Sequence, residues 1–155
     1  MIDLKELLNP DSFLFIQDPT SKKMVFDKIC NEAFEKYNID KNLLLNNLIK
    51  REKIGSTTLG NGIAIPHVQN DQIIKPCCIV TILSDGLDFE ALDNNPVDLI
   101  VFLILPEDSK PENLQILAQI SRLLRNNEIT DKLRGCKSEE SAFAIISQYL
   151  KNKAA

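Results

Sequence analysis

Apolar and polar residues repeat along this chain with two periods, and the two periods predict helices and strands in alternation. Apolar residues at three- and four-residue spacing predict an amphipathic helix over residues 22–37, with Ser21 as its N-cap. We expect Gly55 and Gly135 to end two later helices, and the tail 151–155 to be frayed. The remaining helical segments predicted by the same criteria are 4–8, 41–53, 111–126, 128–134 and a last helix from Ser138 to about 150.

Short apolar runs predict the strands, at residues 13–16, 63–65, 77–83 and 97–105. The last run is almost continuously apolar, so we expect a central strand that is buried on both faces. Residues 84–86, Ser-Asp-Gly, predict a turn after the third strand. Pro66 lacks a backbone N–H, so we expect the chain to leave the sheet there, which puts His67 at the end of a strand on the rim of the sheet.

The order of these elements predicts the fold class. Two helices separate the first strand from a middle group of strands, and three helices follow that group. This order predicts an α/β fold, a three-layer α/β/α sandwich, and the short connections between the middle strands predict a mixed central sheet. A chain of 155 residues is long enough to bury a core, so we expect one domain over residues 1–155.

Charge and composition exclude several functional classes. The net charge is −4 and no basic cluster is present, which argues against a nucleic-acid partner. The longest apolar run, residues 99–105, is too short to cross a bilayer, so we expect no membrane insertion. The N-terminal residues lack the pattern of a signal peptide, and we therefore expect a cytoplasmic protein.

The four cysteines do not indicate a metal site. They form no C-x-x-C pair and only one histidine is available to join them, so we interpret them as reduced, small core residues. Cys77 and Cys78 in one strand would point to opposite faces of the sheet. The chain also lacks a phosphate-binding G-x-x-x-x-G-K-[ST] loop, and Gly60-Asn61-Gly62 is only a fragment of a dinucleotide fingerprint. We expect neither a metal nor a cofactor.

The candidate chemistry lies in residues 51–67, REKIGSTTLGNGIAIPH, which end at the only histidine of the chain. With an ordinary pKa of about 6.5, a histidine can act as a neutral nucleophile near physiological pH. The turns before His67 are rich in backbone N–H groups and hydroxyls, which is typical of anion-binding sites. His67 is therefore either the carrier of a negatively charged group, such as a phosphoryl, or a plain surface or core histidine. Arg51 is either a solvated charge at a helix end or a phosphate ligand.

Residues 51–67 closely resemble the signature of the fructose/mannitol-type (type 2) enzyme IIA domain of the bacterial phosphotransferase system. A later segment, FEALDNNPVDLIVFLILPE at 89–107, resembles the same family and particularly its nitrogen-regulatory branch. The resemblance implies that His67 is the phosphoryl acceptor and that an HPr-type phosphocarrier protein is the donor. It places Arg51 beside the phosphoryl group, and it implies phosphate-binding roles for Gly55, Ser56, Thr57 and Asn61.

The chain departs from the family pattern at one position. Many members of the family carry a second histidine near the start of the helix that follows the long strand, and the matching residue here is Asn113, in KPENLQIL. Asparagine can orient an imidazole or donate to a phosphate, but it cannot carry a positive charge. Asn113 is therefore a candidate catalytic residue, or a polar residue in a first helical turn.

Three functions are compatible with the resemblance. The first is a regulatory phosphocarrier whose phosphorylation state changes which target proteins it binds; this is a phosphotransferase intermediate rather than an enzyme that turns over a small molecule. The second is a sugar-specific IIA component that passes phosphate to a IIB domain. The third is a binding module that keeps the fold and works without phosphorylation.

Overall fold

Strand β6 (Val97–Pro106) is the centre of a six-stranded mixed sheet, in agreement with the prediction from its apolar run. We describe the fold from a computed structural model that covers residues 3–108 and 110–154. On one side β6 pairs with the antiparallel strand β5 (Cys77–Leu87), and β5 pairs in parallel with β1 (Phe13–Ile16). On its other side it pairs in parallel with β3 (Ile63–Ala64) and β4 (His67–Asn70). The short strand β2 (Thr58–Gly60) is antiparallel to β3.

Helices cover both faces of this sheet. Side chains of α2 (Lys22–Tyr37) and α3 (Lys41–Ile54) form one apolar core with one face. The other face packs against α1 (Leu4–Leu7), α4 (Pro111–Leu124), α5 (Asn127–Arg134) and α6 (Glu139–Ala154). Successive residues of β6 alternate between the two cores, as a strand buried on both sides requires. The predicted three-layer α/β/α sandwich is therefore confirmed.

Local capping signals account for the starts of α2 and α3. The Ser21 and Asp40 side chains accept hydrogen bonds from the backbone N–H groups of Met24 and Leu43, so α2 and α3 begin where the sequence predicts. Gly55 follows α3 with an extended φ of 169°, not in the left-handed conformation of a glycine cap. The predicted bounds of helices α1, α3, α4 and α5 lie within two residues of those observed.

Three local predictions were wrong. The chain does not leave the sheet at Pro66, because the Pro66 carbonyl still accepts from Leu103 N–H at 2.9 Å and β4 resumes pairing with β6. His67 therefore begins an edge strand instead of ending one. Residues 84–86 form no turn but continue β5 through a register shift; a Cβ on Gly86 would lie 2.7 Å from the Pro96 side chain, so this glycine permits close packing.

The predicted end of the last helix near residue 150 is the third error. Helix α6 continues to Ala154, and the last predicted residue, Ala155, lies outside the described residues. Gln148 donates to Asn152 one turn further on, and the Lys153 ammonium lies 5.8 Å from the centre of the Tyr149 ring. These contacts extend the helix beyond its last buried turn. No helix of the described residues is long and apolar enough to span a membrane.

Candidate functional site

His67 lies on a cavity of about 590 Å³ between helix α3, strand β4 and the start of helix α4. Strand β4 presents His67, the last turns of α3 present Arg51, and the first turn of α4 presents Asn113. The structure thus brings together the three residues that were predicted as catalytic, although they are separated by up to 62 positions in the chain (113 − 51). Their roles in catalysis remain predictions.

A single hydrogen bond selects the tautomer of the neutral imidazole of His67. The Nδ1 atom of His67 lies 2.8 Å from the carbonyl oxygen of Ile65. A carbonyl oxygen can only accept, so Nδ1 carries the proton in the neutral ring. Nε2 then keeps its lone pair, and Nε2 is the nitrogen that can attack an electrophile.

Arg51 has a defined conformation at the edge of the same cavity. Its Nη1 donates to the carbonyl oxygen of Gly55 at 3.2 Å, which bends the guanidinium over the end of α3. One donor atom is used in this bond, and an arginine has five N–H donors, so others are available to an anion. Arg51 is partly exposed, which leaves it accessible to a ligand in the cavity.

Asn113 is buried, and its amide is committed to the loop before α4. Its Nδ2 donates to the carbonyl oxygen of Asp108 at 3.0 Å, and at 3.4 Å to the Asp108 carboxylate and the Pro106 carbonyl. These bonds make Asn113 a clamp on residues 106–108. Asp108, which it holds, is itself part of the cavity wall.

Several other residues that line the cavity were not predicted as site residues from the sequence. Lys50 and Lys110 line the cavity in addition to Arg51, and so does Asp108, whose carboxylate lies 3.4 Å from the Lys110 ammonium. Ile54 and Leu114 are large, well-exposed apolar residues at its rim. Helical spacing could have found part of this set, because residues 47, 50, 51 and 54 share one face of α3.

The structure does not bring Asn61 to the His67 cavity. Along β6, the partner of Ile63 is Leu99 and that of His67 is Leu103, so the Gly-Asn-Gly turn lies more than about 13 Å from His67 at 3.3 Å per residue. The Asn61 backbone N–H donates to a carboxylate oxygen of Asp93 at 2.9 Å. The turn is an anion site, but the anion is the protein's own carboxylate.

This contact has an electrostatic consequence. The Asn61 N–H, followed by the backbone N–H of Asn95, holds the pKa of Asp93 below its ordinary value. Asn61 therefore lines a separate polar groove beside Arg134, and its assignment as a phosphate ligand stays a prediction.

The loop of Gly55, Ser56 and Thr57 follows α3 but does not line the cavity either. The Ser56 hydroxyl lies 2.8 Å from that of Thr58 and accepts from the Thr58 backbone N–H. Thr57 is buried and donates its hydroxyl to Glu52 at 2.7 Å. In this conformation the loop hydroxyls are bonded within the protein, and their assignment as phosphate ligands remains a prediction.

Among the described residues, no group of three histidine, cysteine, aspartate or glutamate side chains is arranged to hold a metal. Cys30 and Cys78 are buried in the two cores, and Cys77 packs against the core opposite to that of Cys78. Burial raises the pKa of Cys30 to about 12 and that of Cys77 to about 11, which suits apolar packing and not metal ligation at neutral pH.

Comparison with known proteins places this fold and site in a class. A crystal structure of the nitrogen regulatory protein IIA-Ntr from Neisseria meningitidis superimposes with a TM-score of 0.83 at 27% identity, covering 92% of this chain and 97% of that one. The fold is therefore that of the phosphotransferase IIA proteins.

The family follows from the sequence itself. Residues 6–149 match the family model described as phosphoenolpyruvate-dependent sugar phosphotransferase system, EIIA 2, and the chain belongs to this family. The nitrogen regulatory protein of Pseudomonas aeruginosa is 39% identical over 147 residues, 94% of this chain and 96% of that protein. That of Bradyrhizobium diazoefficiens is 31% identical over 144 residues, 93% and 94% of the two chains. The resemblance to type 2 enzyme IIA domains is thus confirmed.

Proposed function

We propose that this protein is a histidine phosphocarrier that accepts a phosphoryl group on Nε2 of His67 from an HPr-type phosphohistidine carrier. The observation that carries the proposal is the 2.8 Å contact between Nδ1 of His67 and the Ile65 carbonyl, which leaves the Nε2 lone pair available. The cations of Lys50, Arg51 and Lys110 around the same cavity suit the charge of the transferred group.

The transfer needs positioning more than covalent help from the protein. The Nε2 lone pair of His67 forms a bond to phosphorus while the bond from phosphorus to the carrier's imidazole nitrogen breaks, and the electron pair of that bond returns to the carrier. The Nδ1 proton stays at the Ile65 carbonyl, which stabilises the positive charge that develops on the ring. Arg51 is the side chain best shaped to hold the phosphoryl oxygens.

The similarity to nitrogen regulatory proteins supports a regulatory use of this phosphorylation. Ile54 and Leu114 expose apolar surface beside His67, so a phosphoryl group there would alter the charge of a surface that can bind a protein. We propose that regulated partners distinguish the phosphorylated from the free form through this surface.

The direct test is phosphorylation in a reconstituted system. The protein and its His67→Ala variant are incubated with phosphoenolpyruvate, enzyme I and an HPr-type carrier, and intact masses are recorded. We expect one acid-labile phosphoryl group on the wild type and none on the variant. Labelling of both proteins, or of neither, would overturn the assignment. Subsequent passage of the group to a fructose or mannitol IIB domain would identify a sugar-specific component instead of a regulator.

A further inference from the structure

A partly buried ion pair, Lys22 with Glu52, links helix α2 to helix α3 one residue after Arg51, and neither partner lines the cavity. The Lys22 ammonium of α2 is 2.9 Å from one carboxylate oxygen of Glu52, whose side chain is only 8% exposed. The same ammonium lies 5.0 Å and 5.6 Å from the ring centres of Phe89 and Phe26. The ion pair is thus held in one place by aromatic rings and by the ends of two helices.

Glu52 occupies a helix position at which a carboxylate is unfavourable. It lies in the last turn of α3, where the helix dipole presents partial negative charge. A carboxylate that is buried there requires specific partners. Its second partner is the buried Thr57 hydroxyl, which donates to the other carboxylate oxygen at 2.7 Å.

From Thr57 a continuous series of hydrogen bonds leads to the histidine. The Thr57 carbonyl accepts from the Ile65 backbone N–H at 2.9 Å. The Ile65 carbonyl in turn accepts from Nδ1–H of His67 at 2.8 Å. Three bonds therefore connect the Glu52 carboxylate with the imidazole, and none of the three passes through the cavity.

We propose that Glu52 is a positioning residue for His67: through Thr57 it fixes the Ile65 carbonyl, and that carbonyl selects the Nδ1–H tautomer and the ring orientation that leave Nε2 free. Free histidine in water prefers the other tautomer, with the proton on Nε2, so the protein must supply this selection. The inference rests on the proposed function only for its effect on transfer, since the tautomer is a property of the unphosphorylated protein.

The test uses the fact that the chain contains a single histidine, so its imidazole ¹⁵N resonances need no assignment. Spectra of uniformly labelled protein at a pH where the ring is neutral report the fraction of each tautomer. We compare the wild type with three variants. Glu52→Ala and Thr57→Val each remove one partner of the hydrogen bond between the Thr57 hydroxyl and the Glu52 carboxylate, and Thr57→Ser keeps the hydroxyl. Thr130→Val is the matched control, because Thr130 is also buried and also uses its hydroxyl, here to donate to the Asn127 carbonyl.

We expect the Nδ1–H tautomer in the wild type, Thr57→Ser and Thr130→Val, and a shift towards Nε2–H in Glu52→Ala and Thr57→Val. The rate of phosphorylation should fall about 10–100-fold in Glu52→Ala and Thr57→Val only, because a misplaced reacting group slows transfer by about that factor. Thr57→Ala replaces Thr57→Val if the latter does not give a cooperative thermal transition.

Wild-type tautomer fractions in both Glu52→Ala and Thr57→Val, or an equal shift in Thr130→Val, would overturn the inference. A wild type that is never phosphorylated, combined with a tautomer shift in the two variants, would overturn the proposed function and leave the positioning role standing.

Discussion

The guanidinium of Arg134 in α5 holds the carboxylate of Asp98 at the start of β6, with Nε 2.9 Å and 3.1 Å from the two carboxylate oxygens. The Nη2 atom of Arg134 also donates to the Asn61 carbonyl. One side chain therefore connects a helix, the central strand and the Gly-Asn-Gly turn. Because both charged groups are half-buried, this contact should contribute more than an ordinary surface ion pair.

Replacement of Arg134 by alanine should therefore lower the free energy of unfolding by about 1–2 kcal/mol, since it removes charge-assisted hydrogen bonds and leaves Asp98 without them. Lys132→Ala is the matched control, because Lys132 lies in the same helix and pairs with Glu128 only at the exposed surface. Its effect should stay within about 0.5 kcal/mol. Urea unfolding measures both variants, and equal losses would show that the Arg134 contact is no stronger than a surface pair.

Two glycines, Gly62 beside this ion pair and Gly55 after α3, should respond in opposite ways to replacement by alanine. Gly62 has a φ of +80°, and a Cβ on it would lie 2.9 Å from Nη2 of Arg134 and 3.0 Å from the Asp98 carboxylate. Gly62→Ala should cost about 1–3 kcal/mol through backbone strain and the displaced ion pair. Gly55 has an extended φ, and a Cβ there meets nothing within 4 Å, so Gly55→Ala should be neutral or mildly stabilising. Melting temperatures in the reverse order would refute this comparison.

Much of the fold could be predicted because local and global signals agree. The apolar run of β6 and the capping side chains of α2 and α3 indicate the same elements that the structure contains. The errors occurred where tertiary contacts decide the local conformation. Pro66 has no N–H to donate to the neighbouring strand, but its carbonyl accepts from Leu103 N–H, so pairing continues past it.

The site was predictable in part, for a related reason. His67 and Arg51 carry chemistry that a motif reveals, whereas the contribution of Asn61 depended on which anion its N–H would bind, and Asp93 lies 32 positions away. Glu52 carried one local signal, an acidic side chain in the last turn of a helix. Its partners Lys22 and Thr57 come together only when the helices pack.

The geometry of Arg51 predicts a graded loss of function. Arg51→Ala should slow phosphorylation of His67 about 100-fold, as removal of a preorganised charge donor does. Arg51→Lys should recover part of the rate, because it keeps the charge but loses the planar fork. Lys53→Ala, two residues further along α3 and not on the cavity, should match the wild type. Quench-flow measurement of phosphoprotein formation tests the order, and equal rates for Arg51→Ala and Lys53→Ala would exclude a direct role.

The clamp at Asn113 predicts a pH-dependent defect. Asn113→Asp keeps the shape but replaces a donor with a carboxylate close to the Asp108 carbonyl and carboxylate oxygens. At pH 7 it should cost about 1–3 kcal/mol. Repulsion and burial raise the pKa of the new carboxyl above its unfolded value, about 3.9. The penalty should therefore appear as the pH rises through the folded pKa and fade towards pH 4. Asn113→Ala is the control, because it loses the same bonds without a titrating group; parallel pH profiles for the two variants would contradict this account.

Alkaline pH should destabilise the protein through its buried thiols, and Cys30 allows the clearest test. Burial first, and then the nearby Asp27 carboxylate, raise the pKa of Cys30 to about 12. The unfolded chain releases this proton near pH 8.5 and the folded protein does not. The protonated Cys30 thiol therefore contributes fully to the free energy of unfolding below that pH, and this contribution is lost as the pH rises towards 12, at up to about 1.4 kcal/mol per pH unit.

Cys30→Ala should cost about 1 kcal/mol at pH 7.5 from the small cavity. Between pH 7.5 and 10, however, it should lose about 1–2 kcal/mol less than the wild type, because the variant has no thiol to ionise when it unfolds. Urea unfolding at the two pH values measures this difference, and equal losses in the two proteins would mean that Cys30 ionises as readily in the folded core as in the unfolded chain.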